Sequence, residues 1–396
     1  MKKSVAIIGG GAAALFLAAF LDPQKFEVTM YEQNKTLGRK FLVAGKGGFN
    51  LTHSEPIELL TERYTPTQFL KESLHYFSNV DFRKWLDTIG IPTYIGSSRR
   101  IYPEKGIKPI AVLNAILKVL KKQQVNIKYE HTWTGWNSNN ELLFNTDTII
   151  SSNYTIFALG GSSWKITGSD GNWLRPFKEQ GIDIVSFQAS NCAYAVDWNS
   201  NFTQKHEGSP LKNIAITCLG NRQKGEVVMT RFGLEGNAIY AVSPQLRQEL
   251  NSKQKATIFL DLKPNLNVDE VQKKIEKSPL RNTTEIIRKE LKLSLAQIGL
   301  LKTGISKEVF LDPKLLAQSI KSLPLEITGF AALDEAISTV GGISLNAVDK
   351  NYQLKKLPTH YCIGEMLDWD APTGGYLLQA CASMGVDLAK QLNEAP

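Results

Sequence analysis

Paired cysteines are missing from this chain of 396 residues. Its four cysteines, Cys192, Cys218, Cys362 and Cys381, are scattered along the sequence, and no CxxC pair occurs. A disulfide reductase needs two neighbouring thiols, so this class of enzyme is excluded. Scattered cysteines are typical of inert thiols in a reducing compartment. We therefore expect a cytoplasmic protein with neither a redox dithiol nor a metal site.

Long apolar runs are also rare, and the one at the N-terminus has two interpretations. Met1-Lys2-Lys3 followed by the apolar stretch 5–21 is similar to the charged and hydrophobic regions of a signal peptide. The same residues fit a strand, a glycine turn and a helix. We favour the second interpretation, because three successive glycines weaken a signal helix and Asp22-Pro23 stands where a cleavage site is needed. No other stretch is long and apolar enough to span a bilayer, so we expect no membrane partner.

Composition places the chain among globular proteins. Hydrophobic residues make up 42% and charged residues 21%, which excludes a disordered chain, and the length fits two or three domains. Lysine and arginine number 46 against 38 acidic residues, so the net charge is +8. A basic excess favours anionic partners such as dinucleotides, phosphorylated substrates or RNA, without choosing among them.

The apolar pattern predicts an α/β fold that begins with a strand–helix–strand unit. Ser4–Ile8 is a short branched apolar run, Ala12–Leu21 favours a helix, and Glu27–Tyr31 alternates like a second strand. Helical patterns follow at 56–90 and 109–122. Four short segments are predicted to form a small antiparallel sheet: Val125–Tyr129, Thr132–Trp136, Glu141–Phe144 and Thr146–Ile149. Tyr154–Leu159 then returns as a buried strand.

The middle of the chain changes character twice. From 188 to 262 the pattern is β, with turns predicted at Gly220-Asn221 and Lys224-Gly225. From 263 to 321 it is helical, with breaks near Pro279, 299–304 and Pro313, and this segment carries a net charge of +5. Its charge suits either a solvated helical face or a docking surface for an anion. The predicted domains are 1–187 with 336–396, a β-rich insert of 188–262 with 322–335, and a helical domain of 263–321.

The first glycine cluster fits a dinucleotide-binding turn. Gly9, Gly11 and Ala14 occupy the key positions of a G-x-G-x-x-A motif, after a strand and at the start of a helix. Such a turn lets the backbone approach a diphosphate, which then lies against the N–H groups of the helix N-terminus. Glu32 closes the second strand about twenty residues later, where a carboxylate accepts hydrogen bonds from ribose hydroxyls. The pattern predicts an adenine dinucleotide without a 2′-phosphate.

Two further segments near the N-terminus have alternative interpretations. Arg39-Lys40 suits a second phosphate contact or an exposed loop. The octet from Gly45 to Thr52 contains Gly45, Gly47 and Gly48. Its glycines suit either a backbone that lies flat against a ring or an ordinary loop.

The C-terminal region favours a flavin dinucleotide. The segment from Gly364 to Asp368 follows a strand, and Gly374-Gly375-Tyr376 opens the last helix. A glycine-rich helix N-terminus stabilises negative charge on the N1 and O2 edge of a reduced flavin. The strand that ends at Ala158 to Gly161 completes the predicted site for non-covalent FAD. The predicted cofactor-binding residues are Gly9, Gly11, Ala12, Ala13, Ala14, Glu32, Gln33, Arg39, Lys40, Gly45, Gly47, Gly48, Asn50, Ala158, Gly160, Gly364, Glu365, Asp368, Gly374, Gly375, Tyr376 and Leu378.

Together these motifs resemble the BaiN/RdsA and aminoacetone-oxidase-like family of NAD(P)/FAD-dependent oxidoreductases. The resemblance spans nearly the whole chain and is most specific at 364–379. Where the family's loop usually has Arg-Cys, this chain has Gly48-Phe49, which indicates a subgroup with a GKGGxNLTH loop. The resemblance implies a Rossmann-like FAD-binding domain of the two-dinucleotide-binding-domain type, made from both chain ends and interrupted by a β-rich and a small helical domain.

The expected chemistry is hydride transfer at the flavin N5 atom. No second G-x-G-x-x-G motif follows a strand, so either NAD(P)H visits transiently or the substrate itself reduces the flavin. His53 and Tyr376 are the candidate proton donors, and each also suits a structural role. Arg99-Arg100 suits an anionic substrate or plain surface charge. We expect the substrate between the FAD domain and the β-rich insert.

The resemblance leaves the substrate open. It implies one of two substrate classes. A small molecule would be an amine that is oxidised or a compound with a conjugated C=C bond that is reduced. Ribosomal RNA would have a uridine reduced to dihydrouridine. The basic segment 263–321 favours RNA, but no RNA-binding module and no interleaved aromatic and basic pattern occurs there. A flavoprotein that keeps FAD without catalysis is the alternative from another class. The sequence does not indicate an oligomeric state.

Overall fold

A computed structural model describes residues 1–43 and 49–395. The chain forms two compact units, one of Met1–Ala189 with Leu333–Pro396 and the other of Ser190–Ala332. The predicted insert began at 188 and ended at 335, close to these bounds. Residues 263–321, predicted as a separate helical domain, lie within the second unit, and the three-domain division stays a prediction.

The first unit is built around a parallel sheet of five strands with the order β20-β10-β1-β2-β6. These strands are β1 (Lys3–Ile8), β2 (Phe26–Tyr31), β6 (Asn126–Lys128), β10 (Tyr154–Phe157) and β20 (His360–Cys362). In register, Val5 of β1 faces Val28 of β2 on one side and Tyr154 of β10 on the other. The predicted Rossmann-like α/β fold is thereby confirmed.

One strand assignment was wrong. Residues 125–129 were predicted to join the small antiparallel sheet, but β6 lies parallel to β2 in the main sheet, with Met30 opposite Ile127. Three residues carry too short a pattern to indicate which partner they pair with. The small antiparallel sheet contains only β7 (Trp133–Trp136), β8 (Leu142–Phe144) and β9 (Ile149–Ile150).

The described part of the first unit also contains eight helices. They are α1 (Ala12–Phe20), α2 (Arg39–Val43), α3 (Ile57–Thr61), α4 (Thr67–Tyr76), α5 (Asn79–Thr88), α6 (Pro109–Lys122), α7 (Leu174–Glu179) and α16 (Tyr376–Glu394). The first and last helices, α1 and α16, pack very closely. A Cβ atom added to Gly385 of α16 would lie 2.6 Å from the carbonyl oxygen of Ala13 and 2.8 Å from the nitrogen of Leu17. Glycine at this position therefore brings the two ends of the chain together.

Two small sheets complete the first unit. One has the order β3-β5-β4, from β3 (Thr52–His53), β4 (Thr93–Ile95) and β5 (Arg100–Pro103). The other pairs β11 (Ile184–Ser190) with β19 (Ser338–Ile343). The first of these places His53 directly opposite Arg100, which brings two residues of the sequence analysis together.

The second unit contains a sheet of seven strands with the order β17-β16-β13-β14-β15-β12-β18. Its strands are β12 (Tyr194–Ala195), β13 (Pro210–Cys218), β14 (Asn221–Met229), β15 (Gly233–Glu235), β16 (Ala256–Asp261), β17 (Leu323–Ile327) and β18 (Gly329–Phe330). The turn predicted at Lys224-Gly225 was wrong, since both residues lie inside β14 and pair with β13. The hairpin turn lies at Leu219-Gly220, where both residues have the positive φ angles that a tight hairpin needs.

Eight helices of the second unit lie in the described part of the chain. They are α8 (Ser200–His206), α9 (Asn237–Tyr240), α10 (Ser243–Lys253), α11 (Val268–Glu276), α12 (Thr283–Lys289), α13 (Leu295–Gly304), α14 (Lys307–Leu311) and α15 (Pro313–Lys321). Side chains cap several of them, and both α11 and α13 begin with a capping box. The break predicted near 299–304 lies at the end of that range, because α13 continues through Gly299 and ends at Gly304, and α14 begins at Lys307.

Two searches of residues 1–43 and 49–395 gave negative results. No helix there combines the length and the apolar character needed to cross a membrane. The same residues contain no cluster of three or more His, Cys, Asp or Glu side chains able to hold a metal ion.

Candidate functional site

The carboxyl ends of four parallel strands meet at one edge of the five-stranded sheet. The chain runs from β1 to β2 and β6 on one side and then crosses to β10 and β20 on the other, so the strand order reverses beside β1. In open α/β sheets, ligands bind outside the strand ends at such a reversal. Here Gly9 follows β1, Glu32 follows β2, and Ala158 follows β10.

Gly9 is required by the close approach of β1 and β10. Its φ angle is +103°, and a Cβ atom there would lie 2.5 Å from the carbonyl oxygen of Ala158. Gly160, with φ of +73°, continues the turn after β10. These glycines therefore shape the backbone at the sheet edge.

Gly11 differs from Gly9 because it is not needed for the folding of its own turn. Its φ of −81° and ψ of −174° are ordinary for any residue, and it forms the N-cap of α1 without a side chain to cap the helix. Among the described residues, no heavy atom lies within 4 Å of a Cβ added there. Ala12, Ala13 and Ala14 form the first turn, and Ala14 is fully buried. The turn thus presents open backbone N–H groups to an anion.

Glu32 lies buried next to this turn. Its carboxylate accepts hydrogen bonds from the Gly10 N–H at 2.8 Å and from both the backbone and the side chain of Asn34. Burial raises the pKa of the Glu32 carboxyl, and the hydrogen bonds oppose that rise. The carboxylate stands where the sequence predicted a contact with a ribose.

Lys40 joins the N-terminal region to the C-terminal region. Its ammonium group donates to both oxygens of Glu365, at 2.9 and 3.1 Å, and to the Ser163 hydroxyl at 2.9 Å. Glu365 also accepts from the backbone N–H of Thr339 at 3.2 Å. Residues that are 325 positions apart therefore meet in one ion pair, as the predicted site requires.

The neighbouring predicted residues are engaged in structural contacts. Arg39 donates to the side chain of Asn34 and to the carbonyl of Ile166, at 2.8 and 2.7 Å. Gln33 is exposed and donates to the Gly168 carbonyl at 2.6 Å. Their contact with a phosphate stays a prediction.

The rest of the predicted set is divided between described and undescribed residues. Gly45, Gly47 and Gly48 lie outside the described part of the chain. Asp368 accepts from the Gly341 N–H at 3.0 Å, and the carbonyl of Gly364 accepts from a tryptophan indole nearby. Asn50 and Leu378 are half-buried, on the segment before β3 and in the first turn of α16.

The N-terminus of α16 lies against β3. Gly374 and Gly375 have φ angles of +126° and +96°, and a Cβ atom on Gly375 would lie 2.6 Å from the Cα atom of Thr52. The Thr52 hydroxyl donates to the Gln379 side chain at 2.6 Å, which fixes the first turns of the helix to the strand. Glycine is therefore obligatory at Gly375 for this close contact.

The two candidate proton donors lie side by side in a buried polar network. The rings of His53 and Tyr376 stack with their centroids 5.2 Å apart. The Tyr376 hydroxyl donates to Glu55 Oε1 at 2.6 Å, and Arg63 donates to both Glu55 oxygens at 3.2 and 3.0 Å. Arg100 is close as well, because its Nε atom would lie 3.4 Å from a Cβ atom on Gly374.

The network holds both aromatic rings in their neutral forms. Burial lowers the pKa of His53, and the positive charges of Arg63 and Arg100 lower it further, against the raising effect of Glu55 and a hydrogen bond to the Ser98 backbone. Burial also raises the pKa of Tyr376, and its hydrogen bond to Glu55 adds to that rise. Burial alone would raise the pKa of Glu55, but hydrogen bonds from Arg63 and Tyr376 outweigh it, so the net shift is downward.

Sequence reasoning missed Glu55 and Arg63. Both fall at the start of a segment whose apolar spacing predicts only helices, and nothing local marks an acid before Pro56 as part of a site. Glu55 is 321 positions from Tyr376, so only the packing of α16 on β3 brings them together.

The chain matches the family model described as HI0933-like protein Rossmann domain over residues 3–391. It is 24% identical to the ribosomal RNA dihydrouridine synthase of Haemophilus influenzae, with 94% of each chain covered. It is 22% identical to the 3-dehydro-bile acid delta(4,6)-reductase of Clostridium scindens, with 99% of each covered. Among solved structures, the 3-ketosteroid-delta4-(5alpha)-dehydrogenase of Rhodococcus jostii RHA1 aligns over 98% of this chain and 97% of its own, with 11% identity and a TM-score of 0.49. The chain therefore belongs to the HI0933-like Rossmann-domain family of FAD-dependent oxidoreductases, which confirms the resemblance found in its motifs.

Proposed function

We propose that the edge formed by β1, β2, β10 and β20 holds FAD. Three features of the described residues fit this cofactor. Gly11 leaves open space at the start of α1 for a diphosphate, Glu32 follows β2 as a ribose acceptor, and the glycine-capped end of α16 suits the pyrimidine edge of the ring. The residues assigned to FAD are those predicted from the sequence, together with Thr52 beside the α16 N-terminus.

We propose further that the reaction is reduction of a C=C bond conjugated to a carbonyl group. The relatives named for dihydrouridine synthesis and for bile acid delta(4,6) reduction differ in substrate size, but both names describe saturation of such a bond. Bound FAD, once reduced by a donor such as NAD(P)H, would supply the hydride from its N5 atom and return to the oxidised form. Membership in a family of oxidoreductases also favours catalysis over a role in which FAD is only structural.

The observation that carries this proposal is the guanidinium group of Arg100 beside the N-terminus of α16, where its Nε atom would lie 3.4 Å from a Cβ atom on Gly374. Addition of hydride to a conjugated C=C bond leaves negative charge on the carbonyl oxygen, which a nearby cation stabilises. The charge of Arg63 is already balanced by its ion pair with Glu55, so we assign this role to Arg100.

Tyr376 is the better candidate for proton donation. Both candidates have partners, since the Tyr376 hydroxyl donates to Glu55, while His53 accepts from the Glu55 N–H at Nδ1, so that this nitrogen carries no proton, and also bonds the Ser98 backbone. The Tyr376 phenol keeps its proton over the physiological pH range because burial and Glu55 raise its pKa. We assign the proton to Tyr376 and the ring-stacking role to His53.

The test starts from FAD-loaded protein under argon. NADH or NADPH is added, and bleaching of the oxidised flavin band near roughly 450 nm reports reduction by a transient nicotinamide. A cyclic enone, uridine in an RNA fragment and a small primary amine are then compared by product analysis. Saturation of an enone or of uridine supports the proposal. Oxidation of the amine with no saturated product from either other substrate overturns it.

Ribosomal RNA is the second candidate substrate, favoured by a basic cluster in the second unit. Arg222 and Lys321 pair with the buried Asp261 at 2.7 and 2.8 Å, and Lys263 lies in the same region. Burial lowers the pKa of Lys263, and the nearby charge of Lys292 lowers it further. Two cations thus pair with one carboxylate, and Lys263 and Lys292 lie close enough to act on each other by charge, which leaves positive charge for phosphate groups.

An experiment with charge variants separates this candidate from a small-molecule reductase. Lys263→Gln with Lys292→Gln is expected to weaken binding of a ribosomal RNA fragment and to reduce its dependence on salt by about one to two counterions. Reduction of a cyclic enone is expected to stay unchanged, because neither Lys263 nor Lys292 is among the residues assigned to FAD. If RNA binding responds neither to salt nor to the two substitutions, this cluster is not the RNA-binding surface.

A further inference from the structure

The first turn of α16 is held by an unusual number of buried polar contacts. The Tyr376 hydroxyl donates to Glu55, and the Tyr376 carbonyl accepts from the Tyr64 hydroxyl at 2.8 Å. One turn later, Gln379 accepts from Thr52 and donates to the Phe77 carbonyl at 3.0 Å. The orientation of this helix end therefore depends on groups of the segment 52–77.

Glu55 is the fixed point of this arrangement. Its side chain is only 4% exposed, and Arg63 holds both of its oxygens. The Asn79 side chain donates to the carbonyls of His53 and Glu55 at 2.6 and 3.0 Å, so the backbone on both sides is held as well. A carboxylate anchored in this way cannot follow a displacement of Tyr376, and it instead restrains the phenol.

We infer that Glu55 is a positioning residue that, through the Tyr376 hydroxyl, orients the α16 N-terminus toward the flavin and thereby sets the reduction potential of the bound cofactor. The inference rests on the proposed placement of FAD at this helix end. The favourable effect of a helix N-terminus on an anion falls off within the first turn, so the alignment of that turn decides its size. Reduced flavin carries more negative charge than oxidised flavin at its N1 edge, so a misaligned helix end weakens binding of the reduced form more.

Other charged and titratable groups face the same phenol. His53 stacks on its ring, Arg63 and Arg100 act on it by charge, and the Tyr64 ring lies with its centroid 6.1 Å away. Each of these groups remains in place when the Tyr376 hydroxyl alone is removed. A change of potential in that variant is therefore due to the lost hydrogen bonds of the phenol, to Glu55 and to Arg63, and a double-mutant cycle isolates the contribution of Glu55.

The experiment compares Tyr376→Phe with Tyr352→Phe. Tyr352 donates to Asp387 of the same helix at 3.1 Å, so the control removes a similar phenol–carboxylate bond three turns away from the N-terminus. The midpoint potential of bound FAD is measured anaerobically against reference dyes, without any substrate. We expect Tyr376→Phe to bind reduced FAD about tenfold more weakly relative to oxidised FAD, which lowers a two-electron potential by about 30 mV. Tyr352→Phe is expected to keep the wild-type potential while losing a comparable amount of thermal stability.

A double-mutant cycle tests whether Glu55 acts through the hydroxyl. Glu55→Leu removes both the charge and the acceptor, and its effect on the potential is measured with Tyr376 and again with Phe at 376. The charge effect is common to both backgrounds, so any difference between the two shifts is due to the bond. Where the leucine variant does not fold, Glu55→Gln replaces it in the cycle. The comparison of Tyr376→Phe with Tyr352→Phe needs neither Glu55 variant and tests the inference by itself.

Two results overturn the inference. In the first, Tyr376→Phe has the same midpoint potential as Tyr352→Phe. In the second, the Glu55 substitution shifts the midpoint potential equally with Tyr and with Phe at position 376. Neither result depends on catalysis, because the potential is measured without substrate. A protein that reduces no conjugated C=C bond, yet shows the expected potentials, contradicts the proposed reaction and leaves this inference standing.

Discussion

The substitution Gly11→Ala separates the cofactor site from the fold. The backbone angles of Gly11 suit alanine, and within the described part of the chain nothing lies near the added methyl group. Alanine is a poorer N-cap residue than glycine, so we expect the free energy of unfolding of the cofactor-free protein to fall by about 0.5–1 kcal/mol. The secondary structure and the cooperativity of unfolding should stay unchanged.

The effect on FAD is expected to be much larger than the effect on folding. The methyl group occupies the open space through which a diphosphate approaches the N–H groups at the start of α1. A hydrogen bond to a charged group contributes about 1.5–3 kcal/mol, so loss of one such bond raises the Kd for FAD by about 10- to 150-fold. The expected loss in binding thus exceeds the expected loss in stability.

The assay is titration of cofactor-free protein with FAD, followed by calorimetry and by thermal melts at a fixed FAD concentration. At an FAD concentration 100 times the wild-type Kd, binding stabilises the wild-type protein by about 2.7 kcal/mol, and a tenfold weaker variant gains only about 1.4 kcal/mol. Gly9→Ala is the contrasting variant, because its Cβ atom would lie 2.5 Å from the Ala158 carbonyl oxygen and disturb the sheet edge itself. A folded Gly11→Ala protein with wild-type affinity for FAD would refute the assignment of this turn.

Three further variants test other contacts. Lys40→Met is expected to lower the free energy of unfolding by about 1–2 kcal/mol, since Glu365 is left without its cation, and Lys40→Met with Glu365→Gln should recover part of that loss in urea unfolding. Glu32→Gln should weaken FAD binding by about tenfold in the same titration, because an amide has one acceptor oxygen where the carboxylate has two; equal affinity would argue against the ribose contact. Glu55 has a pKa below its usual range, so the folded protein binds fewer protons there than the unfolded chain, and the resulting stability is lost as pH falls below about 4.5. Between pH 6 and pH 4, the free energy of unfolding measured in urea should fall less in Glu55→Gln than in wild type. Equal decreases would contradict a lowered pKa for Glu55.

Local signals in the sequence predicted much of the fold and indicated which N-terminal residues lie together at the proposed cofactor site. Gly9, Gly11 and Glu32 lie within one strand–helix–strand unit, where spacing alone fixes their neighbours. The pairing of β6 was not predictable from its own residues, because a three-residue strand takes its place from the packing of longer neighbours. The partners of Tyr376 were not predictable either, since Glu55 and Arg63 are distant in sequence and carry no motif. The position of the predicted substrate between the domains stays a prediction.

The two helices that open at the proposed site share a feature that explains why both chain ends are needed. Both α1 and α16 begin at a glycine, and neither has an acidic residue in its first turn. Some other described helices begin with a capping box, as Ser78 of α5 and Asn267 of α11 show, whereas α4, α6 and α10 also lack a side-chain cap. Open helix ends cost stability unless another group bonds their N–H groups. In the proposed arrangement, the dinucleotide bonds the N-terminus of α1 at its diphosphate and that of α16 at its ring, and the close packing of the two helices at Gly385 brings these ends from opposite termini together.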